Sequence, residues 1–296
     1  MTILITGSSS YLGLNLIKYL ELKNKEYIGI DISKPINKNC IQLDIQDKEL
    51  HKKIKQKKIS SIVHLAAISN KNDCEKDVKK CYDVNLLGTI NLLNFANSIK
   101  IKKFIFASSE WVYESLPKNK KINYGTSIPL DFSNHYSFSK LLCENIILLN
   151  NINSIILRFG IIYGKRNEKN FSAVESIVQQ FIKNKEVVVQ SKKTSRCYIH
   201  IDDIIHSIYN SITNKSLKNK IIDIQGPSLI SLGKIIDILK KKINNKKKIM
   251  ELKPSSYSVR NVLINRKDKV NLLFKSKISI KDGINKVIDE INKKSI

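Results

Sequence analysis

The chain has 296 residues, 42% of them hydrophobic, enough to bury about three quarters of its unfolded surface as one large domain or two unequal ones. Its net charge of +26 comes from 47 lysines against 5 arginines, spread along the whole length among Asn and Ile; A/T-only codons produce such a composition without any polyanionic partner, and scarce Arg argues against a base-reading surface. No apolar run reaches the length of a bilayer span, and Met1 leads straight into Thr2-Ile3-Leu4-Ile5-Thr6 rather than a basic and apolar leader, so a cytoplasmic protein without a membrane span is expected.

Apolar, β-branched runs alternate with longer periodic segments. The pattern predicts strands at 2–6, 27–31, 40–43, 61–66, 103–108 and 154–159, with helices at 11–23, 47–57, 73–98 and 136–150. Such alternation predicts an α/β fold, a Rossmann-type doubly wound parallel sheet with both faces covered. Beyond Gly164 the pattern loosens into a helix near 171–184, a strand at 187–189, a helix from Asp203 and a strand at 221–225, then a Lys-rich tail from 230. The expected division is a dinucleotide-binding domain of residues 1–165 plus about 197–226, and a smaller C-terminal α/β substrate-binding cap of about 166–196 plus 227–296.

The first strand ends in Thr6-Gly7-Ser8-Ser9-Ser10-Tyr11-Leu12-Gly13 and enters a helix, where free backbone N–H groups and the helix dipole suit a pyrophosphate. Gly7 suits a tight turn and Gly13 a close helix–strand approach, while Ser10 stands where a side-chain-free residue usually meets the phosphates. Asp31 closes the second strand of the unit, 18 residues after Gly13, where a carboxylate accepts from an adenosine ribose and repels a 2′-phosphate, favouring NAD over NADP.

Tyr136 and Lys140 lie four residues apart, on one face of a helix. Chance alone places about two Tyr-x-x-x-Lys pairs in a chain of this composition, and there are two, the other being Tyr19 with Lys23. Location separates them, because Tyr136 follows Ser108-Ser109 at the end of a central strand, the edge at which open α/β sheets bind ligands. A phenol must lose about 3 units of pKa to act as a base near neutrality, worth about 4 kcal/mol, and an ammonium about 4 Å away contributes that much. Lys140 is therefore expected to lower the Tyr136 pKa, with Ser109 holding the oxygen of a substrate alcohol or ketone.

These motifs and several others resemble the extended short-chain dehydrogenase/reductase family, the NAD-dependent sugar-nucleotide epimerases and dehydratases. The segment from Thr6 to Gly13 is similar to its TGxxGxxG, Asp44-Ile45 to its adenine-contacting pair, His64-Leu65-Ala66-Ala67 to its HLAA strand, and Asn85 to Thr89 to its NxxGT helix. Ala107 to Tyr113 resembles the segment carrying the catalytic Ser or Thr, Leu157-Arg158 to Gly164 the LRxxNVYG strand, and Arg196 to Asp203 the R-x-[FY]-[IV]-H-V-D-D segment. The resemblance implies catalysis by Ser109, Tyr136 and Lys140. It implies a cofactor site of Gly7, Ser10, Tyr11, Leu12, Gly13, Asp31, Asp44, Ile45, Leu65, Ala66, Ala67 and Asn85 with Tyr136 and Lys140, and a substrate site of Ser109, Glu110, Arg196 and Lys253. It also implies homodimers paired through the helices at 73–98 and 136–150.

Departures bear on the substrate more than on the reaction type. Ser109 is followed by Glu110-Trp111 rather than the Asp-Glu of dehydratases, the NVYG asparagine is Ile161, a glycine after Tyr113 is Glu114, and an Arg-Pro that binds phosphates is Lys253-Pro254. The expectation is an NAD-dependent epimerase of a nucleotide-activated sugar, working by transient hydride transfer through a 4-keto intermediate. Alternatives are a 4-keto reductase, a catalytically silent NAD-binding regulator and a nucleic-acid-binding module; no specific nucleic-acid partner is expected. The five cysteines form no CxxC pair and are odd in number, arguing against a disulfide framework and a metal site, and Cys74 and Cys81 read as core thiols. His64 and His200 read as satisfied structural histidines, and Asp202-Asp203 as a helix N-cap pair.

Overall fold

The structure is a computed structural model that describes residues 2–54, 58–113, 115–116, 121–123, 128–130, 132–164, 166, 172–183, 186–243, 247–252, 263–265 and 274–293. In chain order the first part runs β1 (Thr2–Thr6), α1 (Tyr11–Leu22), β2 (Tyr27–Asp31), β3 (Cys40–Gln42), α2 (Leu50–Ile54), β4 (Ile59–His64), α3 (Lys71–Lys76), α4 (Val78–Tyr82), a π-helical turn (Asp83–Leu87), α5 (Gly88–Ser98), β5 (Lys103–Ser109), a 3-10 turn (Glu110–Tyr113), β6 (Lys121–Asn123), α6 (His135–Leu149) and β7 (Ser154–Phe159). The remainder is β8 (Ile161–Tyr163), α7 (Ala173–Lys183), β9 (Glu186–Val189), β10 (Ser195–Arg196), β11 (Tyr198–His200), α8 (Ile201–Thr213), β12 (Lys220–Ile224), β13 (Ile230–Ser231), α9 (Leu232–Ile243), β14 (Lys248–Glu251), β15 (Leu263–Asn265) and α10 (Ile280–Lys293).

The chain forms two compact units. The first comprises residues 1–115, 128–158 and 205–222, the second 116–127, 159–204 and 223–296. A seven-stranded sheet of order β12-β7-β5-β4-β1-β2-β3 dominates the fold, and its pairings from β5 across to β3 are parallel. β1 is buried along its whole length, as a parallel strand covered on both faces must be, which is why Ile3-Leu4-Ile5 at its centre reads as an apolar run. The sequence of connections reverses between β1 and β4, whose ends Thr6 and His64 lie side by side, so a topological switch point opens beyond those two residues.

The core of the first unit joins strand residues Leu4, Ile30, Ile62 and Phe104 to helix residues Leu92, Phe95 and Ile147. Lys103 is buried beside it and donates from Nζ to the carbonyls of Ser211 (2.8 Å) and Asn214 (2.6 Å), a cation on the negative end of α8 that ties this helix to β5. The second unit has its own core, in which Val178, Phe181, Ile235 and Leu239 of α7 and α9 meet Val187 of β9, with Ile284 and Val287 of α10. Among the described residues no helix is long and apolar enough to cross a membrane.

The single helix expected over 73–98 is broken. Asn70 accepts from the N–H of Asp73 and caps α3; Asp77, at φ −142° and ψ 84°, leaves helical geometry, accepts from the N–H of Lys80 and caps α4. The interruption brings the Cα atoms of Cys74 and Cys81 to 4.9 Å, and the two form a disulfide rather than remaining the core thiols expected from their spacing. Asp203 also differs from expectation. Its carboxylate accepts from the Ser276 hydroxyl (2.8 Å) and the N–H groups of Lys277 and Ile278 (both 3.1 Å), fastening the approach to α10 instead of capping α8.

Candidate active site

The loop from Gly7 to Ser10 joins β1 to α1. Gly7 has φ +70°, and a Cβ there would stand 2.8 Å from the Ala66 nitrogen; a Cβ on Gly13 would stand 2.2 Å from the Gly7 oxygen. Neither position admits a side chain. Ser10 has ordinary extended geometry at φ −70° and ψ 166° and accepts from the Gly13 N–H at 3.1 Å, so it serves as the N-cap of α1, which explains why a residue with a Cβ is tolerated there. The side-chain oxygens of Ser8 and Ser9 are buried without a hydrogen-bond partner among the described residues. A strand-to-helix turn bounded by two glycines that admit no Cβ, at a helix N-terminus, fits the diphosphate of a dinucleotide.

Asp31 ends β2, and its two carboxylate oxygens accept from the N–H groups of Ser9 and Ser33, each at 2.9 Å. The carboxylate thus braces the loop while keeping lone pairs for ribose hydroxyls. Asp44 is half-buried and accepts from the Gln46 N–H at 2.9 Å, with Ile45 buried beside it. Leu65, Ala66 and Ala67 follow β4 and are held by Thr6, whose hydroxyl oxygen accepts from the N–H groups of Leu65 (3.2 Å) and Ala66 (3.1 Å).

Asn85 is buried in the π-helical turn and its amide is spent on the protein: Oδ1 accepts from the Ile68 N–H (2.8 Å), and Nδ2 donates to the Ile68 carbonyl (3.1 Å) and the Ser139 hydroxyl (3.0 Å). It shapes the segment after β4 from behind. His64 is equally committed. Because Thr6 Oγ1 already accepts twice, its proton goes to His64 Nδ1 (2.7 Å), and His64 Nε2 then donates to Thr89 Oγ1 (3.0 Å), which donates to the Asn85 carbonyl (2.5 Å). Burial, with the Lys140 charge nearby, pushes the His64 pKa down to about 3, so the ring is neutral. His200 is buried too; Nδ1 accepts from the Asp202 N–H, but Nε2 has no hydrogen-bond partner among the described residues, so it is only half satisfied.

Asn134 caps α6 by accepting from the Ser137 N–H (2.8 Å), and one turn of helix then separates Tyr136 from Lys140. The structure brings Ser109, Tyr136 and Lys140 to the C-terminal edge of β5. The Ser109 oxygen accepts from the Trp111 N–H (3.2 Å), leaving its proton for the hydrogen bond it makes with the Tyr136 phenol. Lys140 is buried, donates to the Ala107 carbonyl at 2.9 Å and lies 4.7 Å from the Phe106 ring centroid.

The pKa relations reverse one expectation. Burial raises the Tyr136 phenol, opposed by the Ser109 hydrogen bond, while the Lys140 ammonium is itself pushed down to about 8 by desolvation, partly offset by Cys143 and Glu144. The Lys140 N–H is directed to the Ala107 carbonyl, and for the phenol burial outweighs the Ser109 hydrogen bond. Glu110 is buried at the start of the 3-10 turn. Arg196 lies in β10 of the second unit and donates from Nη1 to the Ser195 carbonyl (2.8 Å); Lys253 falls outside the described residues.

A model of the NAD-dependent epimerase/dehydratase family matches residues 3–224. The chain is 28% identical to a putative UDP-glucose 4-epimerase of Methanocaldococcus jannaschii, with 97% of each chain covered. It is 24% identical to a UDP-glucuronate 4-epimerase of Thermodesulfobacterium geofontis, over 97% of this chain and 94% of that one. Among solved structures, the UDP-glucose 4-epimerase of Thermotoga maritima with UDP-glucose superposes with a TM-score of 0.89 at 21% identity, covering 100% of both chains. The UDP-glucuronic acid 4-epimerase of Bacillus cereus with UDP-glucuronic acid and NAD gives 0.84 at 25% identity and 99% of both.

Proposed function

The chain belongs to the NAD-dependent epimerase/dehydratase family, and we propose that within it the protein is an NAD-dependent 4-epimerase of a nucleotide-activated sugar. The observation that carries this reading is the hydrogen-bonded pair of Ser109 and Tyr136 beside buried Lys140, at the same sheet edge as a phosphate loop in which neither glycine admits a Cβ. NAD, when bound, supplies a reversible acceptor for the hydrogen on the sugar's C4.

Tyr136 takes the proton of the C4 hydroxyl and later returns it, so the same phenol acts as base and acid. Ser109 holds the reacting oxygen. Lys140 keeps a positive charge behind both hydroxyls. Gly7, Ser10, Tyr11, Leu12 and Gly13 receive the diphosphate, Asp31 the adenosine ribose, and Asp44, Ile45, Leu65, Ala66 and Ala67 line the adenosine and nicotinamide side, with Asn85 acting through the segment it braces. The Asp31 carboxylate favours NAD over NADP. Glu110, Arg196 and Lys253 are assigned to the substrate by their motif positions, the two cations to its phosphates. The first unit thus holds the cofactor and the second selects the substrate.

Similarity to enzymes named for UDP-glucose and UDP-glucuronate makes these the first substrates to test. With either and NAD, proton NMR is expected to show inversion at C4 without net oxidation; no conversion of any nucleotide sugar refutes the reading. Tyr136→Phe is expected to abolish turnover and retain cofactor binding. Pairing of two copies through the helical segments at 73–98 and 136–150 belongs to the same proposal, supported by exposed Leu87, Leu148 and Leu149, and a monomeric mass in light scattering refutes it. A cytoplasmic setting is proposed as well, supported by the buried thiols of Cys40 and Cys143; fractionation of cells tests it.

A further inference from the structure

Behind the hydroxyl pair lies a buried charge network that the proposed chemistry does not itself use. Glu144 is one turn beyond Lys140 on α6 and is 1% exposed. Arg158, from β7, donates to its carboxylate from Nε (3.0 Å to Oε1, 3.2 Å to Oε2) and from Nη2 (2.5 Å to Oε2). The Ser108 hydroxyl donates to the same carboxylate, and the remaining arm of the guanidinium, Nη1, donates to the Tyr113 hydroxyl at 2.7 Å.

The network therefore grips the chain on both sides of Ser109. Ser108 precedes it directly, and Tyr113 ends the 3-10 turn that follows it. Glu144 and Lys140 sit on the same helix as Tyr136, and Lys140 adds a third tie through the Ala107 carbonyl. A buried ion pair contributes little to stability compared with apolar residues of the same volume, so one that spans three elements around a reacting hydroxyl calls for another explanation.

We infer that Glu144 and Arg158 are positioning residues of the reaction: through Ser108 and Tyr113 they set the strand end that carries Ser109 at a fixed distance from the Tyr136 phenol on α6. The inference rests on the epimerase reading for its consequence in turnover. Planar bidentate pairing suits the task, because the guanidinium fork fixes direction as well as distance. The Arg158 guanidinium carbon also lies 4.8 Å from the Tyr113 ring centroid, which restrains the turn further.

The test deletes one hydroxyl at each end of the network and leaves the ion pair whole. Ser108→Ala and Tyr113→Phe are each expected to lower kcat for UDP-glucose about 10-fold, as small misplacements of reacting groups do, while KM and NAD affinity stay close to those of the unaltered protein. Each is also expected to raise the titration midpoint of Tyr136, read as the ultraviolet difference from the same protein carrying Tyr136→Phe, because the Ser109 hydrogen bond that favours phenolate is loosened. A lowered melting temperature with kcat and midpoint unchanged overturns the inference and leaves the network a structural clamp. If one variant does not fold, the other decides by the same readings. If the unaltered protein converts no nucleotide sugar, the functional reading fails, and the Tyr136 midpoint still decides this one.

Discussion

Acid should unlatch the first unit at His64. Its ring is 1% exposed, and the chain of donors from Thr6 through His64 and Thr89 to the Asn85 carbonyl leaves Nδ1 as an acceptor. A second ring proton must enter at Nδ1 and turn the Thr6 hydroxyl against the two N–H groups it already accepts from. In the unfolded chain the ring titrates near 6.5, and in the folded one near 3, with burial the largest cause and the Lys140 charge the next. The unfolded state therefore binds the extra proton between these values, so stability is complete above pH 6.5 and falls as pH drops toward 3. A gap of about 3.5 units, at about 1.4 kcal/mol each, amounts to about 5 kcal/mol, of which about 3 kcal/mol is lost by pH 4. Urea unfolding at pH 7, 6, 5 and 4, performed on the unaltered protein and on His64→Leu, isolates this contribution as the pH-dependent difference between the two. A difference that stays constant over that range, or an imidazole resonance of His64 titrating near 6.5, refutes the reasoning.

Gly13→Ala is expected to weaken NAD binding by about 100-fold or more, since its Cβ meets the Gly7 oxygen at 2.2 Å and the loop must move; calorimetric titration with NAD measures this. Asp203→Ala strands the Lys277 and Ile278 N–H groups and is expected to cost about 2–3 kcal/mol, seen as a lower melting temperature and faster hydrogen exchange in α10. Turnover should decline on the alkaline side with a midpoint near 8, where Lys140 loses its proton, and a plateau extending past pH 10 would contradict that. Because the Lys140 pKa is depressed in the folded state, protein stability should rise, not fall, across that same interval.

The sheet was legible because parallel strands covered on both faces leave apolar runs at their centres, as at Ile3-Leu4-Ile5, Ile28-Gly29-Ile30 and Ile155-Ile156-Leu157. The break near Asp77 was not, because apolar periodicity continues through it while a side chain of the loop captures an N–H that an uninterrupted helix would have used. Ser10 looked like a defect in a glycine pattern and is a helix cap, a role that only its dihedral angles reveal. The same limit explains the Tyr136 and Lys140 pKa values. Spacing put the two groups on one helix face, but the direction of a shift depends on water lost and on where a proton points. Glu144 had a readable signal, four residues beyond Lys140 on the same face; its meaning required Arg158 and Ser108, which only the folded chain brings to it. Asp203 has partners more than 70 residues away, beyond the reach of any local pattern.

The sulfur bridge between Cys74 and Cys81 has a practical consequence for anyone handling the protein. It staples the two sides of a helical discontinuity whose next turn carries Asn85, and both sulfurs are shut off from solvent. A small-molecule reductant therefore reaches the bridge only when this segment opens, so the covalent state of a sample follows its history and is read by mass after acid quenching and alkylation, and kinetic or melting data from oxidised and reduced material belong apart.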